Sequence, residues 1–291
     1  MKIALYHRHI APADLPALRQ LVAALEGRGV ETFTVADGDA LQGADFLLSV
    51  GGDGTLLSAV QLILGNAAMR GADTAEAFPP IVGINFGHLG FLTTVGKDDI
   101  GRFVDDLLAG RYSVEERTLL QVATNAGDGH SQPALAGREA DGTSFALNEV
   151  FVHRGDAMSL LRTHVCVDGD FVATYAGDGV IVATPTGSTA YSLSCGGPIL
   201  TPNSRSLVVT PISAHTLTLR PIILPDSATL RLDIEGEQFS LGIDSRRLSF
   251  HGTASLLLSR APFTIRLIRT GNQNFFSAIR DKLMWGTEVR Q

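Results

Sequence analysis

The sequence predicts an α/β domain with a parallel sheet, then a β-rich, sandwich-like domain, and last a helix that returns to the first. Three observations carry this. Apolar strands alternate with amphipathic helices from the start to about Gly110. Beyond Arg111 the segments turn short, strand-like and β-branched, with acidic-glycine turns between them. Helical period reappears over Phe275–Trp285. Alternating strands and helices imply a parallel sheet covered by helices, whereas closely spaced strands imply a sandwich. Domains are expected over 1–111 with 275–291, and over 112–274.

Taken in order, Lys2–Tyr6 reads as a strand. Leu15, Leu18, Leu21, Val22 and Leu25 share one helical face, and Gly27 and Gly29 end that helix. Val30–Val35, Phe46–Val50 and Pro80–Asn85 are further strands, and Ile100, Phe103, Val104, Leu107 and Leu108 mark a helix. The second domain is expected to contain strands at Val114–Asn125, Ser144–His153, Leu160–Val167, Val180–Thr184, Thr216–Arg220, Ala228–Ile234, Gln238–Ile243 and Ser255–Leu258. Turns are expected at Asp128-Gly129, Asp141-Gly142, Asp168-Gly169 and Glu235-Gly236. Phe276, Ile279, Leu283 and Met284 form the apolar face of the last helix.

Composition narrows the function classes. With 291 residues, 45% hydrophobic and 18% charged, the chain can bury a large core and suits two domains. A net charge of −7 argues against a general nucleic-acid or membrane-surface binder. Cys166 and Cys195 form neither a metal-spaced cluster nor a disulfide framework, in keeping with a reducing compartment. The amino terminus begins as a strand and lacks a signal-peptide pattern, and no apolar run has the length of a membrane span. A cytoplasmic location is the expectation.

The most informative motif is Gly51-Gly52-Asp53-Gly54-Thr55, where a buried strand meets a helix N-terminus. Glycines let backbone N–H groups approach phosphate, and the helix dipole favours negative charge there. A carboxylate inside such a turn repels phosphate, so Asp53 points to proton abstraction or metal binding; alternatively it caps the helix. A second glycine-rich turn, Gly87-His88-Leu89-Gly90-Phe91, offers Phe91 as a flat surface for a base, or simply as a core residue. Asn148-Glu149 can fork onto ribose hydroxyls, hold a metal, or end a strand. Gly177-Asp178-Gly179 carries a further carboxylate on what reads as a hairpin turn. Thr184–Pro198 crowds hydroxyls onto a Pro/Gly turn, followed by a short helix with Ser188 or Thr189 able to cap it and Tyr191 able to stack on a base. There is no Gly-x-x-x-x-Gly-Lys-Ser/Thr loop, no dinucleotide fingerprint after the first strand, no His-Glu-x-x-His and no Cys-x-x-Cys.

In combination these motifs resemble the NAD kinase family, as do His215-Thr216-Leu217, Arg220-Pro221 and the helix at Phe276–Trp285. The resemblance spans residues 1 to about 286, and the 184–198 segment is its most specific part. It implies transfer of the terminal phosphoryl of ATP to the 2′-hydroxyl of the adenosine ribose of NAD, giving NADP. It further implies a Rossmann-like first domain, a divalent cation such as Mg2+, and a homodimer or homotetramer, with polyphosphate as an alternative donor in some members. By position, Asp53 matches the general base, Gly51, Gly52 and Thr55 the phosphate loop, and Gly54 the dinucleotide site. Phe91 matches an aromatic at adenine, Asn148 and Glu149 the ribose-contacting pair, and Asp178 the carboxylate near nicotinamide. Thr189, Ala190, Tyr191 and Ser194 match the pocket loop. With candidates in both domains, the dinucleotide is expected between them. The chain departs from the family pattern at Ser159 and Ala176, and at Arg246, where Gln is common; a cation there is expected to favour a phosphorylated ligand. The rival readings are a GGDG-type kinase of a lipid or sugar, which leaves 184–198 unexplained, and a non-catalytic dinucleotide sensor, for which Asp53 has no use.

Overall fold

The computed structural model describes residues 1–65, 78–88, 90–124, 143–155, 159–271 and 274–286; the turns expected at Asp128-Gly129 and Asp141-Gly142 lie outside them. The chain divides into two compact units, Met1–Glu116 with Ile265–Gln291, and Arg117–Thr264.

The first unit opens with β1 (Lys2–Tyr6), α1 (Leu15–Glu26), β2 (Glu31–Val35), β3 (Phe46–Val50), α2 (Asp53–Gly65), β4 (Ile81–Ile84) and α3 (Ile100–Leu108). β1 runs parallel to both β2 and β3, and β3 parallel to β4. Parallel strands of this kind are covered on both faces, which is why β3 and β4 are apolar runs buried at every position. Leu21 and Leu25 of α1 and Phe103, Val104 and Leu107 of α3 pack with Ile3, Leu5, Leu48, Val82 and Ile84. Full burial of each such side chain contributes about 1.5–3 kcal/mol. The helix α1 stops where expected: Gly29, at φ +78°, adopts a left-handed conformation that favours glycine.

Among its described residues the second unit is β apart from a 3-10 turn at Gly187–Thr189 and one short helix. β5 (Ser113–Thr124), which begins in the first unit, leads to β6 (Thr143–Ala146), β7 (Glu149–His153), β8 (Leu161–Val167), β9 (Asp170–Gly177) and β10 (Gly179–Ala183). Then follow α4 (Tyr191–Ser194), β11 (Ser206–Ile212), β12 (Ile222–Pro225), β13 (Leu230–Glu235), β14 (Gln238–Ile243), β15 (Arg246–His251) and β16 (Ala254–Arg269). One antiparallel sheet runs in the order β12-β11-β10-β7-β14-β15. The amino-terminal part of β16, β13, β8 and β9 form another antiparallel set. A single core joins them, with Val165, Leu230, Leu232 and Leu256 from one and Val150, Val180, Val182, Leu207 and Leu241 from the other. This is the sandwich the strand spacing predicted. The end of β16 pairs in parallel with β4 at Leu267 and Ile81, and α5 (Phe275–Leu283) completes the first unit. Asn274 caps α5 in a reciprocal box with Ser277.

Several local expectations are corrected. Ser144–His153 is not one strand: β6 ends at Ala146, β7 begins at Glu149, and the intervening bend is gripped by Asp244. Thr216–Arg220 forms turns rather than a strand, with the Arg220 guanidinium donating to the carbonyls of Leu217 and Leu219. The Gly177-Asp178-Gly179 turn is a crossover between sheets, since β9 pairs β8 whereas β10 pairs β7 and β11. Asp168-Gly169 does close a hairpin, both residues having positive φ.

Candidate active site

In the first unit, β3 ends at Val50 and α2 starts at Asp53, so the glycine turn lies at the carboxyl end of the parallel sheet, where such folds bind ligands. The Asp53 carboxylate does not cap α2. Its Oδ1 accepts from the Leu92 and Thr93 amides at 3.2 Å each and from the Thr93 hydroxyl at 3.2 Å, while Oδ2 accepts from the Phe91 amide at 2.8 Å. A carboxylate has about four acceptor sites, two per oxygen, so Oδ2 keeps capacity for a further donor. Gly90 is required here: a Cβ on it would sit 1.9 Å from Asp53 Oδ1. The two glycine-rich motifs therefore form one device, with the second loop wrapped on the carboxylate of the first.

The same loop is tied from its other side. Arg269, near the end of β16, donates through Nη2 to the Phe91 carbonyl at 3.0 Å and through Nε to Glu115 Oε2 at 3.0 Å. The Phe91 ring packs on Phe275 of α5 at 6.4 Å between centroids. The returning helix thus backs the aromatic surface that the sequence offered. At the head of α2, Thr55 N–H closes onto the Gly52 carbonyl at 2.8 Å, and Arg8 reaches Ser58 Oγ at 3.4 Å. His88 is exposed, its carbonyl accepting from Asn85 Nδ2 at 2.5 Å.

In the second unit, Asn148 and Glu149 are presented by the bend between β6 and β7. Asn148 Oδ1 and Glu149 Oε2 are buried and have no hydrogen-bond partner among the described residues, an arrangement that is costly unless a ligand completes it. Burial first, and then the Asp244 charge, push the Glu149 carboxyl up to about 8, against a Tyr191 backbone N–H that favours the anion. Tyr191, half-buried in α4, stands edge-on to Phe151 at 5.3 Å. Asp178 is paired with Arg154 Nε at 2.5 Å, and that hydrogen bond holds its carboxyl below the usual range. Its charge also acts on the Tyr191 hydroxyl. Asn148, Glu149, Asp178 and Tyr191 thereby share one neighbourhood.

The hydroxyls of the 184–198 segment have a different role from the one expected. Neither Ser188 nor Thr189 caps a helix. Ser188 Oγ donates to the Pro185 carbonyl at 2.7 Å and accepts from the Leu200 amide at 2.9 Å; Thr189 Oγ1 donates to the Thr186 carbonyl at 3.2 Å, and Ser192 pairs with Thr210 at 2.8 Å. These bonds build a stiff polar loop over β10, leaving Ala190 and Tyr191 half-buried and Ser194 exposed along it. Gly187 lets the loop approach the bend, since its Cβ would lie 2.1 Å from the Asn148 carbonyl oxygen.

Sequence reasoning missed Thr93, Arg269 and above all Asp244. Thr93 lies two residues past the second glycine motif, and Asp244 at the tip of a strand pair; the only local signal was a short acidic residue able to take positive φ, here +51°.

Residues 17–112 match the model of the ATP-NAD kinase N-terminal domain, and residues 147–270 that of the C-terminal domain. The chain belongs to the NAD kinase family. The NAD kinase of Cytophaga hutchinsonii is 38% identical over 84% of this chain and 77% of its own length. That of Flavobacterium johnsoniae is 32% identical over 100% of both chains. Among solved structures, yeast NADH kinase complexed with NADH superposes with a TM-score of 0.83 at 23% identity, covering 99% of this chain and 89% of that one. An NAD kinase from Archaeoglobus fulgidus in complex with ATP gives 0.76 at 23% identity, covering 98% and 99%. Those two likenesses concern the fold.

Proposed function

We propose that this chain phosphorylates the 2′-hydroxyl of the adenosine ribose of NAD with ATP, giving NADP. The observation that carries this is the pairing, in one family member, of a glycine-turn carboxylate with one open acceptor site and a buried Asn–Glu pair lacking partners. In this reading the α/β unit supplies the phosphate loop (Gly51, Gly52, Thr55), with Gly54 and Phe91 at the dinucleotide. The β-rich unit supplies Asn148 and Glu149 at the ribose, Asp178 towards nicotinamide, and Thr189, Ala190, Tyr191 and Ser194 along the pocket.

Asp53 is the proposed general base. As the ribose oxygen attacks phosphorus and the bond to the ADP oxygen breaks, the hydroxyl proton passes to Asp53 Oδ2, while the Oδ1 bonds keep the carboxylate oriented. The Asn148 and Glu149 oxygens are proposed to accept from ribose hydroxyls of the dinucleotide. A divalent cation, Mg2+ in the family reading, is part of this proposal. Among the described residues no three Asp, Glu, His or Cys side chains converge, so the ion is proposed to enter with ATP.

No helix among the described residues is long and apolar enough to cross a membrane, and a cytoplasmic enzyme is proposed. Assembly into a dimer or tetramer draws support from the edge strand β12, where Ile222 and Ile223 are exposed. The deciding experiment incubates purified protein with ATP·Mg and, separately, NAD, a diacylglycerol and hexoses. NADP formation with no lipid or sugar phosphate is the expected result. Phosphorylation of another acceptor, or NAD binding without turnover, would overturn the reading.

A further inference from the structure

The acidic side chain of Asp244 has no explanation in the turn it occupies. Asp244 and Ser245 link β14 to β15 in a two-residue turn, whose pairing closes at Ile243 and Arg246. Asp244 has φ +51°, a conformation that glycine or asparagine fills most easily in such turns. Its carboxylate instead reaches back almost a hundred residues in sequence to the bend between β6 and β7. Oδ2 accepts from the Leu147 amide at 2.8 Å, and Oδ1 from the Asn148 amide at 2.7 Å and the Glu149 amide at 3.3 Å. Its own N–H donates to the Glu149 carbonyl at 3.0 Å. Thr184 completes the set from the other side, donating through Oγ1 to the Leu147 carbonyl at 2.5 Å and through its amide to the Asn148 carbonyl at 2.9 Å. All six backbone polar groups of Leu147, Asn148 and Glu149 are thus engaged. The unpartnered atoms are those of the side chains, Asn148 Oδ1 and Glu149 Oε2.

We infer that Asp244 is the positioning residue for NAD: its carboxylate fixes the bend so that Asn148 and Glu149 are presented to the ribose in a single geometry. The inference rests on the ribose role proposed above for that pair. Three successive N–H groups converging on one carboxylate form an anion nest filled by a side chain of the protein itself. A bend held only by an exposed loop would let the two side chains turn to each other or to water. Clamped at every backbone group, they keep unsatisfied oxygens that a pair of ribose hydroxyls completes.

Asp244 also acts on the charge of Glu149, second to burial. It is the charged group acting on Glu149, Tyr191 contributes a backbone N–H, and Arg246 acts in turn on Asp244. Burial raises the carboxyls of both Asp244 and Glu149. Removing the Asp244 charge lowers the Glu149 pKa.

The test compares Asp244→Asn with Asn148→Ala and wild type, using the full chain and steady-state kinetics with NAD and ATP varied separately. Asp244→Asn keeps the size of the side chain but loses its charge and one acceptor oxygen. The KM for NAD is expected to rise on the order of 10- to 100-fold, the range typical for groups that orient a ligand-contacting residue. The KM for ATP should stay within about twofold, a split that general loosening of the fold does not produce. The Glu149-linked inflection in the pH profile of kcat/KM for NAD should move to lower pH. An NAD KM within about twofold of wild type in folded Asp244→Asn, with Asn148→Ala raising it tenfold or more, overturns the inference and leaves the ribose reading standing. An unchanged NAD KM in Asn148→Ala overturns the ribose reading, and the inference with it. If Asp244→Asn does not fold, Thr184→Val loosens the same bend by removing one hydroxyl. A selective rise in the KM for NAD supports the inference, and equal changes for both substrates, or none, contradict it.

Discussion

Two carboxylates define this protein, and their surroundings are opposite. Asp53 lies half-buried at the head of α2, with four hydrogen bonds from one loop and one acceptor site left open. Glu149 is buried in the β-rich unit, and its Oε2 has no partner among the described residues. The first is oriented by three amides and a hydroxyl and keeps one oxygen open, the geometry a proton acceptor needs. The second is raised by burial and by a neighbouring acid, the state of a group waiting for a ligand. The proposed function gives the same residue class chemistry in one unit and recognition in the other, and the difference lies in where the backbone N–H groups point. At Asp53 they point at the functional carboxylate. At Glu149 the amides of the bend point at Asp244, and Glu149 Oε2 is left without a partner among the described residues.

The comparison breaks most visibly at Asp53. Asp53→Asn keeps the shape but not the basicity, so kcat should fall by about 10²–10⁴-fold, measured as NADP formation under saturating substrates. Gly90→Ala should mimic it, because the new Cβ displaces the same carboxylate; a Gly90→Ala enzyme with kcat within threefold of wild type would show that the loop grip is irrelevant to turnover.

A smaller effect is expected where the loop meets the bend. In Gly187→Ala the added Cβ collides with the Asn148 carbonyl, a backbone atom that cannot swing aside. Overpacking of this kind costs about 1–3 kcal/mol, equivalent to a fall in Tm of about 2–12 °C by calorimetry. An unchanged Tm would mean that the bend is softer than its hydrogen bonds imply.

Stability against pH gives a quieter contrast. Glu149 has a folded pKa of about 8, above its ordinary value of 4.5, so the folded state binds the proton more tightly than the unfolded state. Its contribution is therefore fully present below the ordinary carboxylate range and is lost as pH rises through about 8. Thermal unfolding between pH 5 and 9 should show Tm falling in wild type and a flatter profile in Glu149→Gln. Parallel profiles would place the strain elsewhere.

The smallest effect is expected at Arg246. Its guanidinium donates to the Phe145 carbonyl at 3.0 Å, and burial lowers its pKa. Arg246→Gln should weaken inhibition by NADP more than it alters the KM for NAD. Equal changes in both would count against a contact with the product phosphate.

How much of this was legible in the sequence follows the same division. The Asp53 turn was readable because its signals are local: a buried strand, three glycines and a helical period within a few residues. The bend at Asn148 was legible only in part: Asn148-Glu149 closes the alternating run Phe145-Ala146-Leu147, but Ser144–His153 still reads as one strand and the residue that grips the bend stands at position 244. β16 was read only at Ser255–Leu258 because Arg260 and Pro262 interrupt its apolar alternation. β9 and β11 escaped for a related reason: Phe171 and Val172 are exposed on an edge strand, and Pro211 lies inside β11. Pairing across the sheet, not propensity, decides such strands.

The central claim, that the Asp53 carboxylate does chemistry and the Asn148–Glu149 pair recognition, is tested most directly by binding without turnover. Isothermal titration of NAD into wild type, Asp53→Asn and Asn148→Ala, without ATP, separates the two roles. The account predicts a Kd for Asp53→Asn within about threefold of wild type and one for Asn148→Ala weaker by tenfold or more, as expected when a buried polar partner is lost. NAD binding abolished in Asp53→Asn, with Asn148→Ala binding as wild type does, would contradict it.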